Sequence, residues 1–303
     1  LRSESLKGRD QMYSNKLYSP LRYPGGKARF APFIAEVMRA NGLDGGHYLE
    51  PFAGGAGVAL ELLFDGHASH IHINDLDPAV HAFWSAATSD PEGLLRLLYD
   101  TPITMDEWYR LRQVMLAQDP DLSITEKGFA TLFINRTNRS GILKGGVIGG
   151  KAQTGTYKLD ARFNKEMIAA RLERIGLHTN SITVHQEDAY SLLSKVSELL
   201  PDRSLIYLDP PYYVKGRDLY RNFYKHDDHL QIAQLLQLSE FNRQWVVSYD
   251  NAPQICEMYS KTEALKYGLH YTAQARYVGD EVMFFKNSLQ IPDAEIPKAT
   301  TVA

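Results

Sequence analysis

The chain has 303 residues, with 33 Lys and Arg against 36 Asp and Glu, a net charge of −3. Hydrophobic residues make up 44% and charged residues 23%, a globular balance that excludes collagen, coiled-coil and wholly disordered readings. No apolar run approaches the roughly 18 residues of a membrane span, and Cys256, the single cysteine, excludes an intrachain disulfide and a thiolate-cluster metal site. These features fit a cytoplasmic protein with no membrane partner. Nucleic-acid binding, if present, has to come from a local patch, because bulk positive charge is missing.

In chain order, residues 1–11 are polar and lack an apolar period, so they read as upstream sequence or a disordered arm. A first block then alternates strand and helix. His47–Glu50 leads through a glycine turn into a helix at Val58–Leu63, and His70–Asn74 leads into a helix opening near Pro78. A second block repeats the pattern. Ser181–Val184 precedes a helix over Tyr190–Leu199, and Leu205–Leu208 precedes one over Leu230–Leu238. Trp245–Ser248 follows, and a final strand pair includes Glu281–Phe285. This alternation predicts βαβ units around a parallel sheet.

Between the blocks, Glu92–Tyr99, Asp106–Leu116 and Thr125–Ile134 carry helical periodicity and a glycine-rich stretch follows. The expected organisation is therefore an α/β domain over 12–85 and 175–289. A mostly helical insertion over 86–174 interrupts it, and 290–303 forms a flexible tail.

Two turns carry chemistry. Glu50-Pro51-Phe52-Ala53-Gly54-Gly55-Ala56-Gly57 lies where the first strand hands over to the first helix, and glycines there let a ligand approach the backbone closely. The next strand ends in Asn74-Asp75-Leu76-Asp77, where a carboxylate can accept both hydrogen bonds of a ribose diol. A tight turn with a helix cap would leave the same residues, but together they favour a nucleoside cofactor.

Leu208-Asp209-Pro210-Pro211-Tyr212 follows an apolar strand, and its two prolines make the turn rigid. The Asp209 carboxylate and the Pro210 carbonyl then form two outward acceptors, suited to an amino group conjugated to an aromatic ring. Tyr212 adds a surface on which a flat base can stack. A strand end followed by a helix cap is the plain alternative.

With Tyr23-Pro24-Gly25-Gly26-Lys27 added, these motifs in this order resemble those of the Dam-like S-adenosylmethionine-dependent DNA N6-adenine methyltransferases, from about Leu21 to Lys286. The resemblance implies a Rossmann-like methyltransferase sheet with helices on both faces, interrupted by a mostly helical target-recognition insertion. It implies S-adenosyl-L-methionine as cofactor, bound by Tyr23, Lys27, Phe52, Gly54, Gly55, Asp75, Asp188 and Asp209. Asp188 would face the cofactor adenine, and Asp77 has the weaker case because it can cap the helix at Pro78. Asp209, Pro210 and Tyr212 would hold a flipped target adenine and carry catalysis. The family often has an aromatic residue where Arg139 stands, so no recognition sequence carries over.

Asn135 to Arg174 holds nine cations against three acids, the local positive charge that groove and phosphate binding needs. Arg136, Arg139, Lys144 and Lys151 are the expected DNA contacts, and Lys215, Arg217, Arg221 and Lys225 form a second cluster. A solvated helix face with a flexible loop would account for the charge equally well. His67, His70 and His72 alternate on and around a strand, and no metal site is expected there. The leading reading is a monomeric, site-specific adenine methyltransferase acting on double-stranded DNA, with a cognate restriction endonuclease as a further partner. Methylation of an RNA base and a catalytically silent DNA-binding regulator are the alternatives.

Overall fold

The computed structural model describes residues 17–23, 26–213, 224–271 and 277–292. The arm over 1–11, Pro24 and Gly25, three cations of the second basic cluster (Lys215, Arg217 and Arg221) and most of the tail lie outside the described residues. The chain divides into two compact units, one of Lys27–Asn74 with the chain from Glu187 onward, the other of Tyr18–Gly26 with Asp75–Gln186. The expected insertion over 86–174 falls inside the second. No helix among the described residues is long and apolar enough to cross a membrane.

The first unit is built on β1 (Gly46–Glu50), β2 (Ala68–Asn74), β4 (Ser204–Leu208), β5 (Gln244–Asp250), β6 (Glu263–Tyr271) and β7 (Tyr277–Phe285). They lie side by side in the order β2-β1-β4-β5-β7-β6. The pairs β1–β2, β1–β4 and β4–β5 are parallel, as the alternation predicts. The sheet is nevertheless mixed, because β7 runs antiparallel to both β5 and β6. That corrects the expectation of a parallel sheet: only five residues lie between β6 and β7, too few for a crossover connection, so the two return as antiparallel neighbours.

Period-2 alternation sorts the side chains between the faces. Leu49, Ile206, Leu208, Trp245, Val247, Val282 and Phe284 point to one face, where helices α8 (Ala189–Ser194), α9 (Val196–Leu199), α10 (His226–Leu236) and α11 (Pro253–Met258) supply residues to a shared core. The single helix expected over Tyr190–Leu199 is two, broken at Lys195, whose backbone leaves the helical range at φ −112° and ψ 17°. On the other face, helix α1 (Ala31–Ala40) sets Phe33 edge-on to Phe285 at 6.3 Å.

Helix α2 (Gly57–Phe64) begins beside the 3-10 turn Ala28–Phe30. A Cβ on Gly57 would stand 2.7 Å from that of Ala28, so only glycine permits this approach.

The second unit holds helices α3 (Pro78–Ser89), α4 (Pro91–Asp100), α5 (Met105–Ala117), α6 (Ile124–Thr137) and α7 (Lys165–Gly176), with the short strand β3 (Ile182–His185). Its centre is α6, whose residues from Gly128 to Thr137 are all buried. Gly128 lets α6 lie against α3, since a Cβ there would meet the Ala86 Cβ at 2.6 Å and the Ala82 carbonyl at 2.7 Å.

The segment Tyr18–Arg22 is strapped to this unit. Asn135 accepts from the Arg22 amide at 2.7 Å and donates to the Arg22 carbonyl at 2.8 Å. Arg136 donates to the Pro20 carbonyl at 2.6 Å, Arg171 to the Ser19 carbonyl at 2.8 Å, and the Arg174 guanidinium lies 4.4 Å from the Tyr18 ring centre.

Candidate active site

Polar groups of the first unit gather at the carboxyl edge of its parallel strands, on the face opposite the shared core. Tyr48 and Glu50 close β1, Tyr207 lies near the end of β4, and Ser248 and Asp250 end β5. The antiparallel register pairs Asp250 with Glu281 of β7, so Glu281 reaches the same edge from a strand running the other way. The turn Asp209–Tyr212 leaves β4 directly into this group.

Lys27 is the hub. Its side chain is 3% exposed, and its Nζ lies 3.2 Å from Asp209 Oδ1 and 3.5 Å from Glu281 Oε2. It also donates to the Tyr212 hydroxyl, and its Nζ stands 4.9 Å from the centre of the Tyr212 ring. The Tyr212 hydroxyl in turn donates to Glu281 Oε1, while Tyr267 donates to Glu281 Oε2 at 2.8 Å. Burial pushes the Glu281 carboxyl above its ordinary value, and Lys27 is the main influence drawing it back. Burial likewise raises Tyr212 and Tyr207 well above the usual phenol range.

Asp209 is oriented through a single oxygen. Oδ1 takes the Lys27 ion pair and a hydrogen bond from Ser248 Oγ at 2.8 Å, and Ser248 Oγ lies 3.1 Å from the Tyr207 hydroxyl. Among the described residues no hydrogen bond reaches Oδ2. The Asp209 side chain is one-quarter exposed, with one oxygen held on both counts and the other taking no hydrogen bond among the described residues.

The glycine turn after β1 supplies a second element. Gly54 and Ala56 adopt left-handed backbone, at φ 46° and 47°, and no side chain caps the N-terminus of α2. Gly55 sits between them. Glu50 accepts from the Tyr48 hydroxyl at 3.1 Å and from the Ala59 amide at 3.0 Å, and burial raises its carboxyl to about 8.

Asn74, at the end of β2, ties three motif loops together. It donates to the carbonyls of Pro51 and Glu187, each at 2.9 Å, and accepts from the Glu187 amide at 2.8 Å. Asp188 is exposed and caps α8 through Tyr190 N and Ser191 N. Tyr224 hydrogen-bonds Asp188 and sets its ring edge-on to Phe52 at 5.4 Å, which joins two of the predicted cofactor residues.

The structure thus brings together Lys27, Asp209 and Tyr212, with Pro210 in the same turn, and separately Phe52 and Asp188. Glu281, Ser248 and Tyr224 were not expected from the sequence.

In the second unit, Asp75 Oδ1 accepts from the Asp77 amide at 2.9 Å, and Asp77 caps α3 through Ala79 N. The Tyr23 carbonyl accepts from Gly26 N at 3.2 Å. Of the four predicted DNA contacts, Arg139, Lys144 and Lys151 are exposed. Arg139 lines an open groove of about 650 Å³ with Ile148, Gly149, Gly150, Thr154 and Tyr157. Arg136 corrects the expectation. It is 6% exposed, spends its Nε on the Pro20 carbonyl, and burial lowers its pKa to about 9. A side chain so enclosed braces the strap and is not presented to a duplex. Of the histidines, His67 pairs with Asp44 at 2.7 Å, and His70 stacks on His47 at 5.0 Å between ring centres.

Residues 23–274 match the family model of the D12 class N6 adenine-specific DNA methyltransferases. No curated protein matches the chain. Among solved structures, the chain is similar to a class I S-adenosylmethionine-dependent methyltransferase, so titled as a putative assignment, from Listeria monocytogenes. The identity is 11%, with 97% of this chain and 68% of that one covered and a TM-score of 0.36. It is also similar to a conserved hypothetical protein of Streptococcus pyogenes at 12% identity, covering 82% and 89% of the two chains with a TM-score of 0.31. A protein of Legionella pneumophila matches at 14% identity, with 86% of each chain covered and a TM-score of 0.30.

Proposed function

Because the chain belongs to the D12 class N6 adenine-specific DNA methyltransferase family, we propose that Asp209, Pro210 and Tyr212 hold an adenine turned out of duplex DNA and present its exocyclic amino nitrogen for methylation. The methyl donor of this family is S-adenosylmethionine, which supplies an electrophilic methyl group on a sulfonium.

The observation that carries the reading is the half-engaged carboxylate of Asp209. Lys27 and Ser248 hold Oδ1, so Oδ2 and the Pro210 carbonyl can act as the paired acceptors for two amino protons. Accepting both draws the nitrogen toward a pyramidal shape and localises its lone pair. The acceptors are fixed before the base arrives, so little reorganisation remains for the transition state. Tyr212 offers its ring for stacking, and Lys27 and Glu281 fix the hydroxyl so that the ring keeps its angle.

The first unit fits the donor. A glycine turn with left-handed backbone leads to a helix N-terminus that no side chain closes, an arrangement that accepts an anionic group. Phe52, Gly54, Gly55 and Asp188 would hold the donor there. Ribose binding by Asp75 and a pocket role for Tyr23 belong to the same reading, as do DNA contacts from Arg139, Lys144 and Lys151 and a cytoplasmic setting.

The test is Asp209→Ala in single-turnover transfer to duplex DNA at saturating donor. Methyl transfer is expected to fall by about 10²-fold or more, while DNA affinity at the same salt stays near wild type. Transfer within a few-fold of wild type would overturn the mechanism. Transfer by the wild type to RNA and not to duplex DNA would move the substrate.

A further inference from the structure

We propose that Glu281 is a positioning residue of the methyl-transfer centre, which holds Lys27 and Tyr212 from behind and keeps the Asp209 carboxylate from being neutralised. The inference rests on the functional reading above and adds a residue that the motifs do not contain.

The geometry carries it. The Glu281 side chain is fully buried, and both of its oxygens are engaged. Oε1 accepts from Tyr212, and Oε2 accepts from Tyr267 at 2.8 Å and faces Lys27 Nζ at 3.5 Å. A buried carboxylate is costly unless such partners compensate, and apolar side chains replacing Glu281, Lys27 and both tyrosines together would fill the space without that cost. The group therefore serves something other than packing.

What it does follows from charge. Lys27 is one ammonium shared by two carboxylates, Asp209 and Glu281. If Glu281 were neutral, the ammonium would bear more fully on Asp209 and cancel more of its field. Asp209 would then be a poorer acceptor for the amino group, and the lone pair would stay delocalised into the ring. With Glu281 ionised, Lys27 orients Asp209 without extinguishing it. Tyr212, the proposed stacking ring, is held by the same two residues, so one carboxylate sets both the acceptor and the platform.

Among the described residues, charged and titratable groups from four places face Glu281. They are Lys27, Tyr207 of β4, Asp209 and Tyr212 of the turn, and Tyr267 of β6. Asp250 is its cross-strand partner in register. Protonation of Glu281 should therefore reproduce chemically what its replacement does genetically.

Glu281→Gln is the test, because it keeps shape while removing charge. Single-turnover transfer at saturating donor and DNA should fall roughly ten- to hundred-fold, with donor and DNA affinities within about three-fold of wild type. Wild-type transfer should also show an acid limb that the variant lacks. In a Lys27→Met background the same change should have a markedly smaller effect, since the charge it balances is gone and only the hold on Tyr212 is left to lose.

A loss that is as large in the Lys27→Met background, or an unchanged pH profile, would overturn the proposal in favour of a purely structural role. A second readout is independent of turnover. The ring signals of carbon-13-labelled Tyr212 and Tyr267, assigned with Tyr→Phe variants, should shift in Glu281→Gln, and unmoved signals would overturn the proposal. A wild type that methylates neither DNA nor RNA would defeat the functional reading alone, with the tyrosine signals still deciding whether Glu281 holds the centre. Should Glu281→Gln not fold, Tyr267→Phe, which removes one donor to Glu281, should still lower transfer several-fold, and no change would overturn the proposal.

Discussion

Replacing Lys27 by Met removes the ammonium that stands 3.2 Å from Asp209 and 3.5 Å from Glu281, while keeping an unbranched side chain. Removing one partner of a buried ion pair costs about 3–5 kcal/mol. Asp209 is one-quarter exposed, so water compensates in part and the lower end, about 3 kcal/mol, is expected. The loss has a direction with pH. Burial already holds the Glu281 carboxyl above 4.5, and Lys27 is the strongest influence lowering it, so in Lys27→Met it rises further. A carboxyl whose folded pKa is raised costs nothing below its unfolded pKa, and its cost grows as pH climbs from there to the folded value. The deficit of Lys27→Met should therefore be smallest near pH 4.5 and increase toward neutrality, by at most about 1.4 kcal/mol per pH unit. Urea unfolding of both proteins at pH 5 and pH 8 measures it. An equal deficit at the two values would refute the argument that Lys27 and Glu281 are coupled.

Four further outcomes are expected. Arg139→Ala should lower the salt slope of DNA binding by about one if the contact is a phosphate, or relax site choice if it is a base. Arg136→Ala should instead cost about 1–3 kcal/mol of stability with DNA affinity unchanged, and the reverse pattern in binding and unfolding assays would contradict the burial argument. Asp75→Ala should weaken donor binding by roughly 1.5–3 kcal/mol in a calorimetric titration, and an unchanged dissociation constant would move the ribose role elsewhere. Burial lowers His229 from 6.5 to about 4, so its neutral form stabilises the fold fully above about pH 6.5 and the contribution is lost as pH falls toward 4, at up to about 1.4 kcal/mol per unit. His229→Gln should show a shallower acid dependence in urea unfolding, and an identical slope would show that another group titrates.

The parts legible in the sequence are those whose logic is local. The turn after Leu208 is rigid because two prolines say so, β4 and β5 announce themselves as short apolar runs, and β1 and β2 as short β-like runs before turns. Helix α6 was legible as a helix, yet Arg136 was misread because counting charges along a stretch says nothing of burial. The surrounding run from Phe129 to Ile134 is uncharged and apolar but for Thr131, which marks a helix without a solvent face, and that signal outweighs the charge. Glu281 escaped for a different reason. It opens an apolar run and looks like a strand-end residue, and only the antiparallel register with β5 brings it to Asp209. Strand β6 and helices α1 and α11 were not placed because short segments depend on tertiary partners.

The ion pair between Lys27 and Glu281 has a consequence for biosynthesis. Its partners are 254 residues apart (281 − 27), so the ribosome releases Lys27 long before β7 exists. At about 5–20 residues per second that interval is roughly 13–50 s. During it Lys27 can meet Asp209 at most, and the nascent chain lacks the antiparallel strand that brings the second carboxylate. Contacts so remote in sequence close late, because the entropy of ordering the intervening chain has to be offset first. The centre is therefore completed only when β7, the last of the described strands, is made, and a chain that stops short of it would carry the Pro-Pro turn without the carboxylate that stands behind it.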